Sequence, residues 1–177
     1  MKIQYLLFLT TIFLSCITKE KGFENKYLSI STPADWIITE KNNESEARWL
    51  VTVLVPKNSK YYDDSNEESP SQNLIIIAKD STEVSIDGYE DFNAYAQNFY
   101  QHQKLQYSKV SKFQTVTLST KKSYYWDRTI EELNKESLIQ KIYLVKTKGL
   151  YLSFLVTHRL KGKATDTEKI LSSIKFK

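Results

Sequence analysis

Residues 138–156, LIQKIYLVKTKGLYLSFLV, decide the fold. The second half of this stretch places four large apolar side chains on one strand face: Leu150, Leu152, Phe154 and Val156. Such alternation is typical of a β-strand with one side against a core. Gly149 lies between the halves, and glycine readily adopts the positive φ of a tight hairpin turn. The stretch therefore predicts an antiparallel hairpin that carries the most apolar strand face in the chain.

Further strands and two helices are predicted around this hairpin. Alternating or continuous apolar runs predict strands at residues 27–32, 36–38, 48–55, 73–79, 109–119 and 121–131. Asp87 and Glu90 have the spacing of a reciprocal helix cap, which predicts a helix over residues 87–104. A second capping pattern opens a short helix at Thr165. The 12 tyrosines, with only 4 glycines and 3 prolines, also favour strands. We therefore predict an α+β fold in which an antiparallel β-sheet is flanked by helices.

Two short motifs are recognisable within this order of elements. Pro33 and Trp36 form a P-x-x-W turn, and ILSSIKF occupies residues 170–176. Together with the element order, they resemble the PsbP/Mog1/DcrB-like superfamily over residues 27–176. The resemblance implies an α/β/α sandwich for a domain at residues 26–177. It also implies a non-enzymatic role, since members include photosystem II accessory subunits, a regulator of a small nuclear GTPase, cell-envelope lipoproteins and chaperones for secreted effectors. The shared motifs are structural, and none assigns a binding residue in this chain.

Residues 1–16, MKIQYLLFLTTIFLSC, have the pattern of an export signal. Lys2 precedes an apolar run of about twelve residues, which suits a signal peptide and is too short to cross roughly 30 Å of hydrocarbon. The run ends at Ser15-Cys16, which resembles the lipobox of bacterial lipoproteins, although Phe13 replaces the usual leucine. This resemblance implies cleavage before Cys16 and lipidation of its thiol. An ordinary secretory signal with a chance cysteine is the alternative.

These features predict three segments: a signal peptide at residues 1–15, a lipidated cysteine with a polar tether at 16–25, and the domain at 26–177. Ile17 is not the aspartate that retains enteric lipoproteins in the inner membrane. We therefore expect the lipid anchor to hold the protein at the outer membrane of a bacterial cell envelope, on its periplasmic side or at the surface. The net charge of +4 is too small to indicate a nucleic-acid partner.

The sequence carries no recognisable catalytic or cofactor motif. It has no HExxH, no GxSxG, no phosphate-binding glycine loop and no cysteine cluster. The two histidines, His102 and His158, are far apart, and a hydrolase would need one of them beside a serine and an acid in one pocket. We predict that the protein is not an enzyme, has no catalytic residues and requires no cofactor.

Residues 57–72, KNSKYYDDSNEESPSQ, form a long acidic segment. Its four carboxylates are Asp63, Asp64, Glu67 and Glu68. Carboxylate oxygens are the ligands that calcium prefers, but the spacing matches no calcium-binding loop and no glycine provides a tight turn. We therefore favour a solvated acidic loop and assign no metal ligand.

Residues 121–128, KKSYYWDR, are a candidate binding surface. Aromatic residues with arginine are typical of interface hot spots. The alternative is that Trp126 packs under a helix while Arg128 pairs with an acid such as Glu131. For Trp126 we favour this alternative.

The sequence as a whole predicts a lipid-anchored cell-envelope protein whose non-catalytic PsbP-like domain binds a protein partner. The alternative is a lipoprotein that binds a small molecule or a metal ion.

Overall fold

The computed structural model describes residues 21–33, 36–42, 49–54, 72–82, 88, 91–131, 137–159 and 165–177. The strands are β1 (Lys21–Glu24), β2 (Leu28–Thr32), β3 (Ile37–Asn42), β4 (Trp49–Leu54), β5 (Gln72–Asp80), β6 (Gln114–Leu118), β7 (Lys121–Ile130), β8 (Leu138–Thr147), β9 (Leu150–Arg159) and β10 (Lys175–Phe176). The helices are α1 (Phe92–Gln106) and α2 (Thr165–Ser172).

Seven strands form one large antiparallel sheet in the order β3-β4-β5-β9-β8-β7-β6. The predicted hairpin is confirmed as β8 and β9, which turn at Lys148 and Gly149 with positive φ values of 41° and 77°. β9 lies near the middle of the sheet because it pairs with both β8 and β5. Its apolar row is accordingly buried, and Leu152, Phe154 and Val156 have no exposed surface (0%).

One face of the large sheet, here called the helix face, is covered by α1. Asp91 caps the helix, since its carboxylate accepts a hydrogen bond from the Ala94 amide at 2.8 Å. The predicted start at Asp87 is therefore four residues too early. Gly88 has a φ of +88°, which a right-handed helix cannot accommodate. The predicted helix itself is confirmed.

The opposite face is covered by a second layer of mixed structure. It contains α2 and a small sheet in the order β1-β2-β10. Apolar side chains from the small sheet and α2, including Leu28, Ile30 and Ile170, pack against β9 and its neighbours in the main core. Trp36 is also buried in this core. The α+β prediction with an antiparallel sheet and helices is thus confirmed, and the layer opposite α1 proves to hold strands as well as a helix.

The tether predicted at residues 16–25 is too long at its C-terminal end. Lys21–Glu24 form β1, which pairs with β2, and Phe23 is buried against the core. On the surface, the side chain of Lys177 pairs with Glu24 of this strand. Phe23 accounts for the difference, because burying its ring in the core favours an ordered strand over a solvated tether.

The predicted strand at residues 109–119 is shorter than expected. Regular pairing with β7 covers only Gln114–Leu118, and Val110 makes an isolated bridge to Arg128. The irregular segment between them follows the end of α1.

Candidate binding site

Helix α1 is fixed to the sheet by an aromatic cluster. Trp126 of β7 is completely buried (0% exposed) beneath the helix. Its ring lies 5.8 Å from Phe99, 5.5 Å from Tyr100 and 5.8 Å from Phe113, measured between ring centroids. Tyr95 packs on Tyr151 at 5.3 Å. Trp126 therefore has a packing role, as the sequence-based alternative predicted.

A groove of about 460 Å³ runs beside α1, above β5 and β9. It is lined by Ile77, Lys79, Tyr95, Asn98, Phe99, His102, Gln103, Gln106, Ser153 and Leu155. The helix provides one wall, and Ile77, Ser153 and Leu155 belong to the strands. This volume is within the usual range of ligand-binding clefts, roughly 300–1,000 Å³. Its lining includes both apolar and polar side chains, as in sites that combine affinity with orientation.

A row of polar side chains crosses the helix face near the end of α1. Strand register places Arg128 opposite Gln140, Gln140 opposite Thr157, and Thr157 opposite Asn73. Directly opposed residues point to the same face, so these four side chains line up across β7, β8, β9 and β5. Gln140, Thr157 and Asn73 are buried. Such a row is unusual in a core, because buried polar groups are costly unless they are hydrogen-bonded.

Hydrogen bonds link most of this row and tie it to α1. Arg128 donates from Nε and Nη2 to Oε1 of Gln140, at 3.0 and 2.6 Å. Gln140 donates from Nε2 to Oγ1 of Thr157 at 2.9 Å. Arg128 also donates from Nη1 to Oε1 of Gln103, which belongs to the helix and lines the groove. We call Gln103, Arg128, Gln140 and Thr157 the polar network.

The charge of Arg128 is not neutralised by a carboxylate in the described part of the chain. Glu131, the predicted partner, instead pairs with Lys109 at 3.1 Å, so that prediction is wrong. The guanidinium is half-buried, and its central carbon lies 3.9 Å from the centre of the Tyr107 ring. Burial lowers the pKa of Arg128 from its ordinary value, yet an arginine remains charged at neutral pH. The site therefore holds a partly desolvated positive charge whose hydrogen bonds go to amide oxygens.

The row ends in an unsatisfied acceptor. Asn73 is 8% exposed, and its Oδ1 has no hydrogen-bond donor among the described residues. Asn73 is directly opposite Thr157, so it continues the row of polar side chains onto β5 but is not hydrogen-bonded into the polar network through Oδ1. A buried acceptor that forms no hydrogen bond lowers the stability of the folded protein by about 1–3 kcal/mol.

The candidate surface at residues 121–128 is not one surface. Tyr124 is half-buried on the helix face and packs on Phe113 at 5.0 Å. Tyr125 points to the opposite face, where its hydroxyl donates to Oδ2 of Asp127 at 2.9 Å. Burial, followed by the hydrogen bond to Asp127, raises the pKa of Tyr125 well above its ordinary value. Within this segment only Arg128 joins the polar network.

The two histidines are not brought together. His102 is exposed and lines the groove, whereas His158 is buried in β9 on the face opposite α1. Within the residues that the structure describes, no three His, Cys, Asp or Glu side chains form a group that would hold a metal ion. Cys16 and residues 57–71 of the predicted acidic loop lie outside the described residues. Neither described helix has both the length and the apolar character needed to cross a membrane.

The amides of the polar network were not anticipated from the sequence. Gln140 nevertheless left a signal, because it interrupts the apolar face that Leu138, Ile142 and Leu144 form in β8. Thr157 similarly shares a face with Leu155 in β9. Polar residues at inward positions of predicted central strands would have pointed to a buried polar row.

No protein-family model matches the sequence, and no curated protein matches it significantly. Several solved structures are similar in fold. A crystal structure from Bacteroides thetaiotaomicron VPI-5482 is 15% identical with a TM-score of 0.48, and the match covers 89% of this chain. This chain spans only 48% of that protein.

Two further similar structures have comparable lengths. The solution structure of cyanobacterial PsbP (CyanoP) from Synechocystis sp. PCC 6803 is 9% identical with a TM-score of 0.47, covering 96% of this chain and 99% of that one. LpqN of Mycobacterium tuberculosis, described as involved in cell envelope biogenesis, is 12% identical with a TM-score of 0.43, covering 89% and 90%. A PsbP structure is therefore among those similar to this chain.

Proposed function

We propose that this protein is a lipid-anchored cell-envelope protein whose PsbP/Mog1-like α/β/α sandwich binds a segment of a protein partner and performs no chemistry. The observation that carries the proposal is the groove beside α1, which is lined by both apolar and polar side chains and adjoins the polar network through Gln103. From Tyr95 to Gln106 the helix wall is about 16 Å long at 1.5 Å per residue. An extended peptide of about five residues has this length.

A protein partner is favoured over a small molecule by the rim of the groove. Leu105 lies one helical turn from His102 and exposes 84% of its surface. An exposed apolar side chain beside a cleft gives a partner additional area to bury. A small molecule held within the 460 Å³ groove remains the second candidate, since that volume suits one.

The leader sequence supports the anchoring part of the proposal. Cys16 would carry the acyl chains, and each buried CH₂ contributes about 0.8 kcal/mol, so two or three chains give stable attachment. Labelling with a fatty-acid analogue and membrane fractionation test this directly. We expect the wild type to be labelled and membrane-bound, and Cys16→Ala to be unlabelled and released. Unlabelled wild-type protein in the soluble fraction would refute the anchor.

Groove-filling variants test the binding part. Chemically crosslinked complexes are purified from cells that express the wild type, His102→Trp, or Lys175→Trp as a control. His102 lines the groove and Lys175 lies on β10 in the opposite layer, and both are exposed. We expect one envelope protein to co-purify with the wild type and Lys175→Trp, and to be lost with His102→Trp. Equal recovery with all three forms would place the partner elsewhere and contradict the proposed groove.

A further inference from the structure

We infer that the groove beside α1 recognises carboxylate groups, with Arg128 as their receptor, and that its natural occupant is an acidic peptide segment of the partner. This inference rests on the proposed function and specifies the chemistry of the ligand.

The charges of the groove are the first observation. Among the described residues, those that line it include Lys79 and His102 but no aspartate or glutamate. Lys79 is exposed, so its ammonium group is accessible from solvent. A cleft lined by one sign of charge attracts ligands of the opposite sign and disfavours ligands of its own sign.

The hydrogen bonds of Arg128 are the second observation. A guanidinium has five N–H donors. Three bonds from Arg128, two to Gln140 and one to Gln103, leave two donors without an acceptor among the described residues. Arginine N–H groups match the two oxygens of a carboxylate, and such charge-assisted bonds are about twice as strong as neutral ones.

The polar network also holds Arg128 ready for a ligand. Gln140 and Gln103 fix the guanidinium from two sides, and Tyr107 covers one of its faces at 3.9 Å. The Arg128 side chain is therefore already ordered in the free protein. Binding a ligand then costs less side-chain entropy, which favours a higher affinity. Gln103 lines the groove while contacting Arg128, so the guanidinium lies one side chain beyond the groove wall.

The spacing of the two cations favours a peptide over a compact ligand. Lys79 is opposite Tyr151, whereas the polar row that contains Arg128 crosses β5 at Asn73. Six residues of strand separate these two rows, about 20 Å at 3.3 Å per residue, and Arg128 also lies three strands across the sheet from Lys79, about 14 Å at 4.8 Å per strand. A segment with acidic residues near both ends spans this distance, and a di- or tricarboxylic metabolite does not.

A peptide selection tests the inference with the lipoprotein purified in detergent. A displayed library of random dodecapeptides is selected separately on the wild type, Arg128→Lys, Lys79→Glu and Lys175→Glu. Arg128→Lys keeps the charge but loses the planar fork. Lys79→Glu reverses an exposed charge without touching the polar network, and Lys175→Glu makes the same charge change on the opposite layer. Circular dichroism melting curves verify that each variant is folded.

We expect peptides enriched in Asp and Glu from the wild type and from Lys175→Glu. We expect the selected peptides to bind Arg128→Lys and Lys79→Glu about tenfold more weakly. Peptides without acidic enrichment, or unchanged affinity in both groove variants, would overturn the carboxylate inference while leaving the proposed protein-binding function standing.

A second arm separates a peptide from a small carboxylate. Melting temperatures are measured with glutarate and citrate at millimolar concentration. If no peptide is selected and citrate stabilises the wild type but not Arg128→Lys, the receptor is real but its ligand is a small acid, which overturns the protein-partner proposal. If neither peptides nor these acids bind, both proposals are wrong.

Discussion

The polar network makes a sharp prediction about stability, centred on Gln140. Gln140→Leu preserves the approximate volume of the side chain but removes the oxygen that accepts two N–H groups of Arg128, at 3.0 and 2.6 Å. It also removes the donor that Gln140 provides to Thr157 at 2.9 Å. Hydrogen bonds to charged groups contribute about 1.5–3 kcal/mol, and an orphaned buried partner adds to the loss. We therefore expect Gln140→Leu to lower the free energy of unfolding by about 2–3 kcal/mol.

The same reasoning predicts that the Gln140→Leu effect depends on Arg128. Arg128→Met leaves the Gln140 and Gln103 oxygens without a donor, so it should cost about 2 kcal/mol alone. In the double variant the charge and its main acceptor are removed together, and an apolar pair of similar shape is nearly neutral. The double variant should therefore be about 2 kcal/mol more stable than the sum of the single effects predicts.

Urea unfolding followed by far-UV circular dichroism measures these differences. Gln114→Leu is the matched control, because Gln114 is exposed on the edge strand β6 and should change stability by less than about 0.5 kcal/mol. Additive effects of Gln140→Leu and Arg128→Met, or a Gln140→Leu variant as stable as Gln114→Leu, would refute the energetic coupling of the network.

Three further predictions concern the layers around the sheet. Trp126→Ala, which removes a completely buried ring (0% exposed), should cost about 3–5 kcal/mol, and an unchanged urea midpoint would show that the cluster under α1 is not packed. Phe23→Ala should lower stability by about 2–4 kcal/mol because β1 belongs to the core, whereas a flexible tether would tolerate the change without effect. Burial and Asp127 raise the pKa of Tyr125 in the folded protein, so its contribution to stability is present below its unfolded pKa of about 10 and is lost as pH rises beyond that value. Alkaline titration followed by phenolate absorbance at 295 nm checks this by comparing the wild type with Tyr125→Phe. If the wild-type curve rises over the same pH range as that of Tyr125→Phe but to a higher final absorbance, Tyr125 titrates normally and the prediction is wrong.

The central hairpin was predictable because its signal is local. Alternation over Leu150–Val156 and the glycine before it specify strand, face and turn within 19 residues. The sheet order around it followed less directly from the sequence, since the pairing of β5 with β9 joins residues about 80 positions apart. The resemblance to PsbP-like domains supplied the expectation of layers that local patterns alone did not give.

The errors at element ends have simple physical causes. The capping pattern of Asp87 and Glu90 predicted the wrong helix start. In the structure Gly88 has a positive φ, and Asp91 accepts the capping hydrogen bond from the Ala94 amide. Phe23 is the one apolar side chain among the four residues of β1, KGFE, which is too weak a signal to predict that β1 pairs with β2.

The candidate site was the least predictable part. Asn73, Arg128, Gln140 and Thr157 are far apart in sequence, and the register of four strands places them in one row, which Gln103 of α1 contacts through Arg128. The sequence pointed to Arg128 as a candidate binding residue, but the predicted ion pair with Glu131 is wrong, because Glu131 pairs with Lys109 in the folded chain. A single sequence specifies which side chains point inward far better than which distant ones become neighbours.

Site-specific photo-crosslinking in intact cells tests whether the groove beside α1 binds a protein partner. A photoreactive amino acid is placed at Gln106, which lines the groove, or at Lys175 in the opposite layer, and both positions are exposed. We expect one envelope protein to crosslink through position 106 and not through position 175, and we expect the adduct to map to an acidic segment of that protein. Crosslinking of the same protein through 175 alone, or of no protein through 106, would contradict the assignment of the groove as the binding site.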